Sequence, residues 1–176
     1  MSRSRRYEAR RLLPHMKTFK DMKVRFKKLN DAAVLPYYAH QTDAGLDMTA
    51  TSREIDDDGN VVYGFGLAVE IPAGYVGLLF PRSSVAEKGM VLSNSVGCVD
   101  SGYRGEVKAK FKVTPDCAYI KDKMLWIAKR YSLEAYEVGD RVCQLIIIPY
   151  PKIEPEFADE LSSSDRGDGG YGSSGR

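Results

Sequence analysis

The chain has 176 residues, a formal net charge of +2 and 43% apolar residues, which suits one domain with extensions and a buried core. No apolar run approaches the ~18 residues of a membrane span, and no apolar stretch suggests secretion. The charge is uneven: residues 1–21 hold seven Lys/Arg against two acids, so the body is net negative and lacks a basic footprint for nucleic acid.

The Arg-rich, acid-poor leader, residues 1–21, is similar in composition to a transit peptide. It also suits a solvated basic arm, or residues read from an upstream start before Met22. It is expected to be disordered and dispensable. From Lys23 the pattern turns β-like, with Val24 and Phe26 alternating with lysines. Ala68 to Ile71 stops at Pro72, and the apolar run Tyr75 to Phe80 stops at Pro81. Ser83 to Lys88 is the one short helix candidate, opened by a serine and closed by Gly89. Val107, Ala109, Phe111 and Val113 alternate with Lys108, Lys110 and Lys112, a period of two with one face buried. Val142 to Ile148 is nearly all apolar, as in a central strand covered on both faces. Many short strands and one short helix predict an all-β, antiparallel sandwich or barrel. Residues 117–130, with Trp126 and mixed charges, read as an extra hairpin or loop excursion. Residues 162–176 read as a Gly/Ser-rich flexible arm. Cys98, Cys117 and Cys143 are unclustered, and Cys98 and Cys143 fall within apolar runs, so buried thiols in a reducing compartment are expected. His15 and His40 have no partner at metal-ligand spacing.

Five segments carry chemistry. Around a Ser-Gly turn, Gly97 to Glu106 sets Asp100 and Tyr103 three residues apart, a carboxylate and a ring at the shoulders of an expected hairpin. Its backbone can read the edge of a small planar ligand. Pro81-Arg82-Ser83-Ser84 starts a helix straight after a strand, where free N–H groups, Arg82 and Ser83 can meet an anion; an ordinary Ser-capped helix explains the same residues. Asp47, in DAGLDMTA, is either inward-facing or a turn residue; beside a polyphosphate it suits a hard cation held through water. Gln144, in GDRVCQLI, is the only polar side chain within an apolar strand run. It makes either a structural hydrogen bond or a hold on a water or phosphate oxygen. The tail from Arg166 to Arg176 brackets Tyr171 with glycines, serines and arginines. It is either a floppy terminus or an arm that folds over a polyphosphate once a charged ligand offsets its ordering cost.

Read in order, DAGLDMTA, PRSSVAEKG, NSVGCVDSGYRGEV, GDRVCQLI and RGDGGYGSSG resemble the five ordered motifs of the trimeric dUTPases. The resemblance runs from about Met22 to Arg176 and leaves the leader outside; 117–130 is longer than a compact member needs. It implies a jelly-roll β-domain over residues 22–161, a homotrimer with sites shared between chains, and hydrolysis of dUTP to dUMP and pyrophosphate. That reaction keeps uracil out of DNA and supplies dUMP for dTMP synthesis. By matching position it makes Asp100 the general base, with Gln144 helping to hold the water. Arg82, Ser83, Ser84, Arg166, Gly172, Ser173 and Ser174 fall to substrate binding, largely at the phosphates, and Lys108 joins them. Asn94 and the backbone of Gly97, Cys98, Val99 and Asp100 would pair with the uracil edge, Tyr103 would exclude a 2′-hydroxyl, and Tyr171 would stack on the base. Mg²⁺ would bridge the phosphates, with Asp47 contacting it through water. The setting implied is cytoplasmic, with no nucleic-acid or membrane partner.

Three rivals remain. The dCTP deaminase type shares the fold and similar motifs but places a catalytic Glu where this chain has Lys110. A nucleotide-responsive interaction protein would use the same site as a sensor. A plain binding jelly roll would require five ordered matches by chance.

Overall fold

The computed structural model describes residues 22–113 and 135–170. The leader, the 117–130 excursion and Tyr171, Gly172, Ser173 and Ser174 lie outside the described residues. The described residues form an antiparallel, jelly-roll-like β fold. In chain order the strands are β1 (Arg25–Lys28), β2 (Leu46–Thr49), β3 (Ser52–Ile55), β4 (Val61–Gly64), β5 (Leu67–Glu70) and β6 (Tyr75–Pro81), followed by β7 (Met90–Leu92), β8 (Gly97–Val99), β9 (Lys108–Val113) and β10 (Arg141–Pro149). Ser83–Lys88 is helical as expected, but as a single 3-10 helix.

Two four-stranded sheets, in the orders β2-β10-β6-β8 and β3-β4-β9-β7, accompany a β1-β5 pair. The apolar run read as a central strand is β10, held between β2 and β6. Val142, Cys143 and Leu145 are fully buried, but Ile146 and Ile147 are half-buried and Ile148 is exposed, so the strand is central in its sheet without being covered on both faces along its length. The alternating lysines lie on β9: Ala109 and Phe111 face inward while Lys108, Lys110 and Lys112 face out. Tyr63 of β4 meets the Phe111 ring edge to face at 5.8 Å, near the centre of a core that also holds Met48, Leu79 and Leu145.

The expected hairpin is not one. β8 pairs with β6, whereas β9 pairs with β4 and β7. The segment between them therefore hands the chain from one sheet to the other. Alternation marks which face of a strand is buried, not which strand lies beside it. The expectation for Cys98 is also corrected. β8 is an edge strand, and Cys98 is exposed on it, whereas Cys143 is buried; both are free thiols.

Candidate active site

The sheet-to-sheet turn opens a cavity of about 480 Å³. Asn94, Gly97, Cys98, Val99, Asp100, Tyr103 and Lys108 all line it, so seven of the residues singled out by sequence meet in one place. The turn is fixed locally. The Tyr103 amide donates to the Asp100 carbonyl at 3.0 Å, and Arg104 Nη1 donates to the carbonyls of Ser101 and Tyr103 at 2.6 and 2.8 Å. The Tyr103 hydroxyl donates to the Glu106 carbonyl at 3.0 Å. This lays the ring against Gly105, where any Cβ would run into it. Asp100 stays exposed at the cavity and makes no ion pair among the described residues. Next to the cavity-lining Asn94, Ser95 adopts a left-handed φ of 61°, uncommon for a residue with a side chain. Lys108 Nζ stands 3.5 Å from Glu54 and 3.7 Å from Glu106. Lys110, two residues on, points elsewhere: it pairs with Asp56 at 2.6 Å.

A second polar cluster forms where β2, β6 and β10 end. Asp47 proves to be inward-facing, 1% exposed, on β2. Its Oδ2 accepts from Arg141 Nη1 at 2.9 Å. Its Oδ1 faces Arg82 Nε at 3.3 Å and accepts from Gln144 Nε2 at 3.4 Å. A carboxylate removed from water needs such partners. Gln144 fits because residue 45 is glycine: a Cβ there would come within 2.9 Å of the Gln144 Cβ. Both readings of Gln144 thus stay open, since one amide hydrogen serves Asp47 and its other donor and its acceptor are not used in that bond. Arg82 also donates toward the Arg141 carbonyl at 3.4 Å, and its amide donates to the Val142 carbonyl. Ser84 Oγ lies 2.7 Å from the Tyr136 hydroxyl, while Ser83 is exposed. Burial pushes Tyr136 above its ordinary value and Tyr63 up to about 12.

The two clusters do not meet within one chain. Val99 pairs with Gly77 of β6, and Gln144 pairs with Phe80, on the opposite side of the same strand. Asp100 is one residue beyond Val99, which puts its backbone on the order of 15 Å from that of Gln144 at ordinary strand spacings. That exceeds the reach of two short side chains and one water. Arg166 joins neither cluster; its Nε donates to the Gly169 carbonyl at 2.8 Å. The segment leading to it exposes Ile153, Phe157 and Leu161.

Sequence reasoning passed over Arg141, Tyr136, Arg104 and Glu106. Arg141 sits in the quoted GDRVCQLI, and its place at the head of an apolar strand was the available signal. Tyr136 carried none. Among the described residues no three His, Cys, Asp or Glu side chains converge as a metal cage. No helix among them is long and apolar enough to cross a membrane.

A jelly-roll-like domain that sets arginines on a buried carboxylate at one corner and opens a backbone-lined cavity at another fits the class of all-β nucleotide hydrolases. The dUTPase family model matches residues 31–122 and 125–175, with its break inside residues 117–130. The deoxyuridine 5'-triphosphate nucleotidohydrolase of Hydrogenobaculum sp. (strain Y04AAS1) is 37% identical over 157 residues, spanning 88% of this chain and 99% of that protein. A mutant dUTPase of Staphylococcus bacteriophage 80alpha, solved with dUpNHpp, superposes with a TM-score of 0.70 at 30% identity, covering 88% of this chain and 99% of that one. A mutant dUTPase from phage phi11 of S. aureus, described as revealing the coordination of a structural Mg(II) ion, has a TM-score of 0.61 at 29% identity, over 80% of this chain and 99% of that one. The chain belongs to the dUTPase family, and so to the dUTP diphosphatases, which are hydrolases.

Proposed function

We propose that this chain hydrolyses dUTP to dUMP and pyrophosphate in a site completed by a second copy of itself. The observation that carries the reading is the cavity at the sheet-to-sheet turn, where Asp100, Tyr103 and an open backbone edge face the same space. Backbone groups of Gly97 to Asp100, with Asn94, pair with the uracil edge; cytosine presents reversed donors and acceptors and leaves those groups unpaired. The Tyr103 ring, held by its bond to Glu106, packs under the deoxyribose and leaves no room for a 2′-hydroxyl. Asp100 accepts a proton from the water that attacks the α-phosphorus in line, a role worth on the order of 10²–10⁴-fold. Gln144 steadies that water with the groups its bond to Asp47 leaves over. Arg82, Ser83 and Ser84 hold phosphate oxygens, with Lys108 at the cavity rim.

Because Asp100 and Gln144 stand too far apart on one chain to share a water, the cavity of one copy is completed by the Arg82–Gln144 corner of another. A homotrimer closes such a contact without leaving an open end. The exposed Ile153, Phe157 and Leu161 support an arm that crosses to a neighbour. Arg166, Tyr171, Gly172, Ser173 and Ser174 then fold over the phosphates and the base. Mg²⁺, when bound, neutralises charge on the three phosphates. The residues fit a cation carried by phosphates and water rather than by a protein cage. Asp47 has both oxygens engaged by Arg82, Arg141 and Gln144, so it would contact such a cation through water. The free thiols Cys98 and Cys143 support a reducing, cytoplasmic setting.

A panel of dUTP, dCTP, dTTP and UTP assayed for pyrophosphate and for ammonia tests this. Pyrophosphate from dUTP alone is expected, and ammonia from dCTP would overturn the assignment. The deaminase rival is disfavoured because Lys110 lies outside the cavity and is paired with Asp56. A nucleotide-responsive interaction role would be additional to hydrolysis. A pull-down with and without dUpNHpp tests it.

A further inference from the structure

The mechanism uses Ser84 but gives no part to Tyr136, the residue it touches. Tyr136 is 4% exposed and anchored from several sides. Its ring meets Tyr63 edge to face, 6.2 Å between centroids, and Tyr63 in turn meets Phe111. Its carbonyl accepts from the Tyr63 hydroxyl at 3.0 Å and from Arg53 Nη1 at 3.2 Å. The Lys88 ammonium stands 5.6 Å above the ring centroid. A row of aromatic rings thus runs from the core to the start of the 3-10 helix. At its end a phenol oxygen is held 2.7 Å from Ser84 Oγ.

The direction of that bond decides what Ser84 can do. A phosphate oxygen only accepts, so Ser84 must spend its single proton on it. It can do so while bonded to Tyr136 only if Tyr136 is the donor. Burial raises the Tyr136 hydroxyl above its ordinary value and keeps it protonated. The helix itself does little to fix the serine: it buries no side chain, and Arg82, at its N-cap, makes no side-chain capping bond.

We infer that Tyr136 is a positioning residue for phosphate binding: its core-anchored hydroxyl donates to Ser84 and so aims the Ser84 proton at the substrate's phosphates. This rests on the reading of Ser84 as a phosphate ligand. A chain of hydroxyls polarised in one sense also strengthens its outer bond.

The test is a double-mutant cycle on the full chain, read by calorimetric binding of dUpNHpp, with deoxyuridine as the ligand that lacks phosphates. Tyr136→Phe keeps the ring and is expected to weaken dUpNHpp about 2- to 10-fold, the range of one lost hydrogen bond, while leaving deoxyuridine unchanged. Ser84→Ala should weaken dUpNHpp at least as much. The double variant should bind no worse than Ser84→Ala alone, because the two hydroxyls act in series. Ser84→Thr, which restores the hydroxyl, should recover sensitivity to Tyr136→Phe. Unchanged dUpNHpp affinity in Tyr136→Phe, beside a loss in Ser84→Ala, overturns the inference alone, as do additive losses or an equal loss of deoxyuridine. Full affinity in Ser84→Ala overturns the phosphate reading, and the inference with it.

Discussion

The cavity at the sheet-to-sheet turn and the corner built on Asp47 solve opposite problems. The cavity keeps its carboxylate exposed: Asp100 faces open space, and precision comes from backbone bonds that lock the turn and from Tyr103 tied to Glu106. The corner buries its carboxylate and uses it to hold Arg82, Arg141 and Gln144. A group that must take a proton from water needs access. Groups that must meet a triphosphate need to be pre-aimed, so that little side-chain entropy is lost when the ligand arrives. The fold keeps the two apart on one chain, and in the proposed site a second copy brings them together.

Four changes probe that contrast. Asp100→Asn should have the largest effect on rate. Turnover should fall by at least about 10²-fold while dUpNHpp still binds, since only proton acceptance is lost; steady-state rates and calorimetry read the two separately. Truncation before Arg166 should follow, cutting turnover severely while the number of chains per assembly, read from the mass in solution, stays that of the full-length protein, because in the proposed mechanism the arm serves closure and not the body. Asp47→Asn should strike the corner in both stability and binding. It weakens a buried charged contact to two guanidinium groups, a loss of about 1.5–3 kcal/mol in denaturant unfolding, and it should raise the KM for dUTP more than it lowers kcat.

Lys110→Ala is the smallest and serves as a control outside both clusters. Hydrogen bonds from Lys110 and Asn60 hold the Asp56 carboxyl at about 2, below its ordinary 3.8. A depressed carboxyl contributes stability above its unfolded value and loses it as pH falls through the folded one. The wild type should therefore lose stability between about pH 4 and 2, and Lys110→Ala should flatten that fall. Its turnover at neutral pH should be unchanged.

The parts legible in the sequence are those set by local pattern. β10 and β9 follow from an apolar run broken only by Gln144 and from a strict alternation. The turn residues at Asp100 and Tyr103 stand out because a connection has no need of a carboxylate and a ring there. β3 escaped notice because all four of its residues are exposed, so it has no apolar period. The partnership of β8 with β6 rather than β9 escaped because the choice of neighbouring strand is a long-range property that no single strand encodes. Asp47 and Arg141 are 94 residues apart, so their bond is a product of the β2–β10 register. Tyr136 carries no local signal; only the fold, which packs its ring on Tyr63 and brings Ser84 to its hydroxyl, shows what that hydroxyl is held against.

That the active site is divided between chains is the central claim, and subunit complementation tests it most directly. Asp100→Asn and Arg82→Ala chains, each nearly inactive alone, are unfolded together, refolded as a mixture and assayed for dUTP turnover. Mixed assemblies should regain a substantial fraction of wild-type activity, because some sites then pair an intact Asp100 from one chain with an intact Arg82 corner from another. Activity that stays at the level of the separate variants at every mixing ratio, with mixed assemblies demonstrated by mass, would contradict the account.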